Sequence, residues 1–166
     1  MMANMAPTVE ELFDIAIYLE EAGKGVYEHW QTLFAHRQKA ATFWKEYQEE
    51  ELLHAKLLWE IKANLTPEQL AEPVDVTVYQ TALDSQTDAK NIKKDVETLD
   101  EALEIATQIE NSEINTILEF LVTHFAEQES TKEMVHLQMR EHVEKLNNLS
   151  PALIFGKDYK SIKAIR

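Results

Sequence analysis

Four long stretches of the sequence carry apolar residues three or four positions apart, which is the spacing of one face of an α-helix. They cover roughly residues 9–33, residues 40–65, a segment that begins after Thr98, and a segment from Ser130 to about residue 147. Serine or threonine followed three residues later by glutamate, the pattern of a helix capping box, marks the starts at Thr8, Thr98 and Ser130. The sequence therefore predicts four long helices.

The composition agrees with a helical protein and argues against several classes of function. The chain has only three glycines, and its four prolines lie at the edges of the periodic stretches. A net charge of −14 is opposite in sign to that of a typical nucleic-acid-binding protein, so we expect no nucleic-acid partner. The absence of cysteine excludes disulfides, thiolate catalysis, zinc–thiolate sites and iron–sulfur clusters.

No targeting or membrane segment is visible in the sequence. No apolar run reaches the roughly 18 residues that a membrane span needs. The first eight residues lack the basic and apolar segments of a secretory signal. We therefore expect a cytoplasmic protein without a membrane partner.

The third predicted helix repeats the first at an offset of 90 residues. The matching residues are Thr8, Glu11, Ile15, Ala16 and Glu20 in the first and Thr98, Glu101, Ile105, Ala106 and Glu110 in the third. The match indicates two related helical hairpins, although two amphipathic helices with similar caps can also resemble each other by chance.

The lengths of the connections predict how the hairpins are joined. The link between helices 2 and 3, about residues 66–97, is long and contains a short helix predicted to begin at Thr66-Pro67. The predicted fold is therefore all-α, an up-down-down-up four-helix bundle over residues 1–150 with a long crossover between helices 2 and 3. The basic tail, residues 151–166, either packs on the bundle or frays.

Glutamate or histidine interrupts each apolar stripe near its middle. The interrupting residues are Glu20 in helix 1, Glu51 and His54 in helix 2, Glu110 and Glu113 in helix 3, and His142 in helix 4. If the two turns centre on residues 36–37 and on Ala126, antiparallel packing brings these groups to one level. Burying each charge costs several kcal/mol unless it is compensated, and neighbouring carboxylates raise each other's pKa. A bound cation resolves this conflict, and carboxylate with imidazole suits iron or manganese, while zinc can occupy such sites.

Simpler explanations exist for each residue taken singly. Glu20 is also typical of the edge of a helix stripe, Glu51 ends a run of three glutamates, and a lone buried histidine is more often a core residue than a ligand. A second Glu-x-x-His pair, Glu133 and His136, competes for the metal role. A capping box at Ser130 explains Glu133, and His136 falls off the apolar stripe, so we favour His142.

The ordered set of motifs resembles the rubrerythrin branch of the ferritin-like family. The segments that carry it are IAIYLE at 15–20 with Tyr27 seven residues on, ELLHAK at 51–56, ENSE at 110–113 and REHVEKL at 140–146, and the resemblance covers about residues 8–147. It implies that Glu20, Glu51, His54, Glu110, Glu113 and His142 are ligands of one or two irons, with Glu51 as a bridge. It also implies that Tyr27 is the catalytic residue, a hydrogen-bond donor to a ligand carboxylate.

The sequence departs from the family pattern at two places. Met139 stands where the family has a second bridging glutamate, and a thioether is a poor ligand for a hard iron centre. The chain also has no cysteine to hold the iron of a rubredoxin-like tail.

Three functions follow as expectations from the resemblance and its departures. The first is a di-iron oxidoreductase that acts on peroxide or oxygen, receives electrons from a separate donor protein and forms a homodimer. The second is iron binding or storage without an organic substrate. The third is a degenerate, non-catalytic bundle, for which Met139 is the best support.

Overall fold

The computed structural model describes residues 5–112 and 114–165, and within them every regular element is a helix. The long helices are α1 (Val9–Leu33), α2 (Gln38–Ala63), α4 (Val76–Lys90), α5 (Leu99–Glu110), α6 (Ile114–Phe125) and α7 (Glu129–Asn147). Short helices are α3 (Pro67–Leu70) and α8 (Pro151–Phe155), and a 3-10 turn lies at Tyr159–Ser161. No helix in this part of the chain has the length and apolarity needed to cross a membrane.

Helices α1 and α2 form the first hairpin, as the sequence predicts. Thr8 caps α1 with a complete capping box, in which its side chain accepts from the Glu11 backbone and Glu11 accepts from the Thr8 backbone. Helix α2 begins and ends two residues earlier than predicted, after the turn at residues 34–37. The predicted stripes of both helices are buried, from Leu12 to Trp30 in α1 and from Trp44 to Ile61 in α2.

The prediction of one continuous third helix is wrong, because the chain forms α5 and α6 with a break after Glu110. Side chains take over backbone acceptors at this point: Asn115 Nδ2 donates to the Glu110 carbonyl at 2.9 Å, and Ser112 Oγ donates to the Ile109 carbonyl at 2.5 Å. Such bonds compete with the helical pattern. Beyond the break Ile117, Leu118, Leu121 and Val122 face the core, whereas Phe120 is only half-buried.

The start of the fourth helix also differs from the prediction. Helix α7 begins at Glu129, with Gln128 as its extended N-terminal residue and no side-chain cap. The predicted cap at Ser130 is therefore wrong, since Ser130 already lies inside the first turn. The predicted core stripe of this helix is confirmed at Val135, Met139, His142 and Leu146, whereas Leu149, predicted to continue it, lies beyond the helix end and is half-buried.

The crossover contains one predicted helix and one that the sequence did not reveal. Thr66 and Gln69 form the predicted capping box of α3. Helix α4, capped by Asp75, packs against α1 and α6. Its buried residues are Ala82, Ser85 and Ala89, and this stripe of small residues gives little hydrophobic periodicity.

The repeat of 90 residues reappears in the backbone hydrogen bonds. The Val9 N–H donates to the Glu72 carbonyl at 2.9 Å, as the Leu99 N–H does to the Ile162 carbonyl at 3.0 Å. The Val74 N–H donates to the Pro7 carbonyl at 2.9 Å, as the Ala164 N–H does to the Glu97 carbonyl at 2.9 Å. In each hairpin the chain that follows the second helix thus returns to the start of the first, and the tail packs instead of fraying.

The tail contact makes a stability difference that can be measured. Ile162 is 2% exposed and packs in the core with Leu99, whereas Ile165 is 47% exposed. We expect Ile162→Ala to lower the free energy of unfolding by about 2–4 kcal/mol, because it leaves a cavity. Urea unfolding should show a much smaller change for the control Ile165→Ala. Equal effects of the two substitutions would contradict the packing of the tail.

Candidate metal centre

The structure brings five of the predicted site residues together between the helices. Each is at most 6% exposed: Glu20 on α1, Glu51 and His54 on α2, Glu110 at the end of α5, and His142 on α7. We call these five residues the carboxylate–histidine cluster. The sixth predicted ligand, Glu113, lies outside the described residues. The shared level that hairpin packing predicted is therefore present for the rest.

The cluster consists of two groups of three residues that share Glu51. Potential ligand atoms of Glu20, Glu51 and His54 lie within 4.8 Å of one another, and so do those of Glu51, Glu110 and His142. In the first group His54 Nδ1 lies 3.4 Å from Glu20 Oε2. In the second group His142 Nε2 lies 2.8 Å from Glu110 Oε2 and 3.7 Å from Glu51 Oε1. Each group offers carboxylate oxygen and imidazole nitrogen to one position, so the cluster could hold a metal ion.

Three atoms of the cluster lack hydrogen-bond partners among the described residues, which bears on whether a cation fits there. Glu20 Oε2, His54 Nδ1 and His142 Nε2 are buried and have no hydrogen-bond partner in the part of the chain that the structure describes. Buried polar atoms are normally hydrogen-bonded. The 2.8 Å contact between His142 Nε2 and Glu110 does not remove the difficulty, because the two atoms are close but not aligned as donor and acceptor. A cation in each group, with oxygen and nitrogen ligands, would satisfy these three atoms.

Tyr27 is placed beside the cluster by the aromatic residues around it. Its hydroxyl donates a hydrogen bond to Glu110 Oε1. Its ring stacks on Trp44 with centroids 5.8 Å apart and meets the edge of Trp30. The contact predicted for Tyr27 is therefore present, and its catalytic role stays a prediction. Asn115 approaches the other oxygen of Glu110 at 3.5 Å, so side chains from two helices orient this carboxylate.

Glu50 is a site residue that the sequence reasoning missed. Its carboxylate contacts His142 Nδ1, and it is accordingly the acceptor that turns Nε2 of that ring towards Glu51 and Glu110. Burial raises the pKa of Glu50, but the hydrogen bond and charge of His142 outweigh burial and lower the pKa overall. The only signal in the sequence was its place beside Glu51, within a run of three glutamates.

Gly23 allows α1 to approach the shared carboxylate closely. A Cβ atom at this position would lie 3.2 Å from Glu51 Oε2, which is tighter than an ordinary contact. A side chain here would require the Glu51 carboxylate to shift by a few tenths of an ångström. The glycine therefore lets α1 lie close to Glu51.

Burial and mutual repulsion control the protonation of the carboxylates. Burial raises the pKa of Glu20; contact with Glu51 lowers it and the charge of Glu110 raises it, and the result is about 7. The pKa of Glu51 is raised well above its usual value, by burial first and then by the charges of Glu20 and Glu110. Without a metal, the first group accordingly keeps a proton near neutral pH. A metal ion would have to displace that proton.

The charge of His142 responds to its acidic neighbours. Burial lowers its pKa, but contacts with Glu110 and Glu50 outweigh burial and raise the pKa to about 10.

The pKa of Tyr27 is raised well above its usual value, by burial first and then by the charge of Glu110. The phenol therefore keeps its proton and remains a donor.

The competing Glu-x-x-His pair lies apart from the cluster. Glu133 is exposed. His136 contacts Glu119 through Nδ1 and approaches Thr123 through its other nitrogen at 3.3 Å. Met139, at the position where the resemblance expects a bridging glutamate, is 6% exposed and packs in the apolar core.

Comparison with known proteins adds no relative. No protein-family model matches the chain, and no curated protein or solved structure matches it. The candidate function therefore depends on the geometry of the cluster and on the resemblance of its motifs.

The raised pKa values predict how pH changes the stability of the metal-free protein. Glu20 and Glu51 hold protons in the folded state at pH values where the unfolded chain has released them, so stability falls as pH rises from about 4.5 towards 7. His142 stabilises the fold below about pH 6.5, and this contribution is lost as pH rises towards 10. The two effects have the same sign. Urea unfolding with a chelator should show a free energy of unfolding lower by a few kcal/mol at pH 8 than at pH 5.5.

A variant at Glu20 tests whether the pH dependence of stability arises from the cluster. Glu20→Gln removes one of the titrating carboxyls while keeping its shape, so the dependence on pH should become weaker. A stability that rises with pH across this range in the unmodified protein would contradict the account of the cluster.

Proposed function

We propose that the carboxylate–histidine cluster binds two iron ions and that the protein is a ferritin-like, rubrerythrin-like oxidoreductase acting on oxygen or peroxide. The observation that carries the proposal is the position of Glu51, which belongs to both three-residue groups. A single carboxylate between two sets of ligands is what a shared bridge requires. The proposal places one ion with Glu20 and His54 and the second with Glu110 and His142.

The helix arrangement supports the ferritin-like part of this proposal. Ferritin-like di-metal proteins supply glutamates and Glu-x-x-His pairs from four helices around one core site. Here the ligand candidates come from α1, α2, α5 and α7, two hairpins repeat at an offset of 90 residues, and a long crossover joins them. The proposed topology is therefore up-down-down-up.

The residues of the chain would bind, orient and protect the metal centre. When bound, iron supplies the electron-transfer chemistry towards oxygen or peroxide. Glu50 fixes the ring of His142 so that Nε2 faces the centre. The Tyr27 hydroxyl donates a hydrogen bond to Glu110 Oε1 and so orients that carboxylate. The burial of the cluster excludes bulk water from the reacting oxidant.

The remaining parts of the proposal concern partners. Electrons would come from a separate donor protein, because no cysteine is present to hold an iron–sulfur or rubredoxin-type centre in this chain. A homodimer is the proposed assembly, with oxygen or peroxide as the small oxidant. Manganese or zinc would satisfy the same ligand atoms, but zinc has no redox chemistry.

A metal-free scaffold is the second candidate, and Met139 favours it. The methionine fills apolar space at the position where the resemblance expects a second bridge, and it offers no hard ligand atom. On this hypothesis the buried glutamates stay protonated and the fold serves interaction with another protein. It predicts that adding iron leaves the stability of the protein unchanged.

A substitution at Glu51 distinguishes the two candidates. We expect Glu51→Ala to abolish tight iron binding and peroxide-dependent or oxygen-dependent turnover, because both groups lose their shared ligand. The matched control is Glu49→Ala, an exposed glutamate in the same run, which should leave iron content and turnover unchanged. Elemental analysis after loading with ferrous iron gives the comparison. Equal iron content in the two variants would exclude the proposed site.

A further inference from the structure

A small cavity lies against the second half of the carboxylate–histidine cluster. Its volume is about 10 Å³, and its walls include Glu51, Glu110 and Leu19. This is about the minimum space that a single water-sized molecule needs. Glu20 and the two histidines do not line it. The cavity therefore adjoins the proposed metal position that Glu110 helps to form.

A larger groove lies outside this cavity and opens to solvent. Its volume is about 430 Å³, and Asp88, Lys93 and Gln108 are among its lining residues. The groove and the inner cavity share three lining residues, Ala89, Ile92 and Ile109. These three form an apolar neck between the crossover helix α4, the segment that follows it, and α5. The neck therefore lies between the open groove and the small cavity beside Glu51 and Glu110.

We propose that this neck is the entry path of dioxygen to the metal centre. Its alanine and isoleucine side chains would select dioxygen, a small apolar oxidant, over hydrogen peroxide. The inference rests on the proposed function and specifies its substrate. A neck lined by alanine and isoleucine offers no hydrogen bond, so hydrogen peroxide would lose its bonds to water on passing it. Dioxygen has no such bonds to lose.

The small size of the neck and of the inner cavity also favours dioxygen. Ala89 is only 6% exposed and Ile92 and Ile109 are half-buried, so the neck is closed to bulky molecules at rest. An inner cavity of about 10 Å³ leaves no room for an organic substrate. Helix α4 has small buried residues where it meets α1, and Ala89 is the one that reaches the neck.

The path can be tested on the metal-free protein by measuring the paramagnetic relaxation that dissolved oxygen causes at methyl groups. We expect the Leu19 methyls to show a several-fold larger effect than those of Leu12 and Leu58, which are equally buried but lie away from the cavity. Ala89→Leu should reduce the effect at Leu19 and leave Ile105, in the outer groove, unchanged. Ile92→Ala should increase it, and this variant serves if Ala89→Leu fails to fold. The control Ile105→Ala lines only the groove and should change nothing at Leu19.

The outcomes separate the entry path from the proposed function. An effect at Leu19 no larger than that at Leu12 and Leu58 would overturn the path, even in a protein that binds iron. An oxygen effect at Leu19 in a protein that binds no iron would keep the path and remove the proposed function. In the iron-loaded protein, Ile92→Ala should accelerate oxidation by dissolved oxygen more than oxidation by hydrogen peroxide. Equal acceleration by both oxidants would overturn the selection of dioxygen.

Discussion

Three glutamates and two histidines buried at one level between the helices are the constraint on which the rest of the structure depends. The effective penalty for burying an uncompensated charge is several kcal/mol, and here the charges lie within a few ångströms of one another. Protons on Glu20 and Glu51 and a charged His142 reduce that penalty in the metal-free protein. Within the described residues, three buried ligand atoms remain without hydrogen bonds, and a cation in each of the two groups would satisfy them.

Glu110 is held by different kinds of residue on its two sides. On one side, Tyr27, Trp30 and Trp44 pack as a fully buried aromatic group and orient Glu110 through the tyrosine hydroxyl. On the opposite side of Glu110 the helix stops, and Asn115 bonds both its carbonyl and its carboxylate. The break after Glu110 thus places a second polar side chain on the same carboxylate, next to the small cavity.

Helical periodicity was sufficient to predict α1, most of α2, and the buried positions of Glu20, Glu51, His54, Glu110 and His142. These residues could be found because each interrupts an apolar stripe, and because antiparallel hairpins bring equivalent positions to one level. The break between α5 and α6 could not be found, since it results from local side-chain bonds of Ser112 and Asn115 in a sequence that remains amphipathic. Helix α4 was missed because alanine and serine form its buried face, and Glu50 because its role depends on a histidine 92 positions away.

The number of iron ions bound per chain tests the central claim most directly. The protein, purified without chelator and titrated anaerobically with ferrous iron, would be analysed by elemental analysis and by native mass spectrometry. The shared position of Glu51 predicts two ions per chain, with thermal stability rising until both are bound. No bound iron and an unchanged melting temperature would contradict a metal centre, and one ion at saturation would contradict the shared bridge.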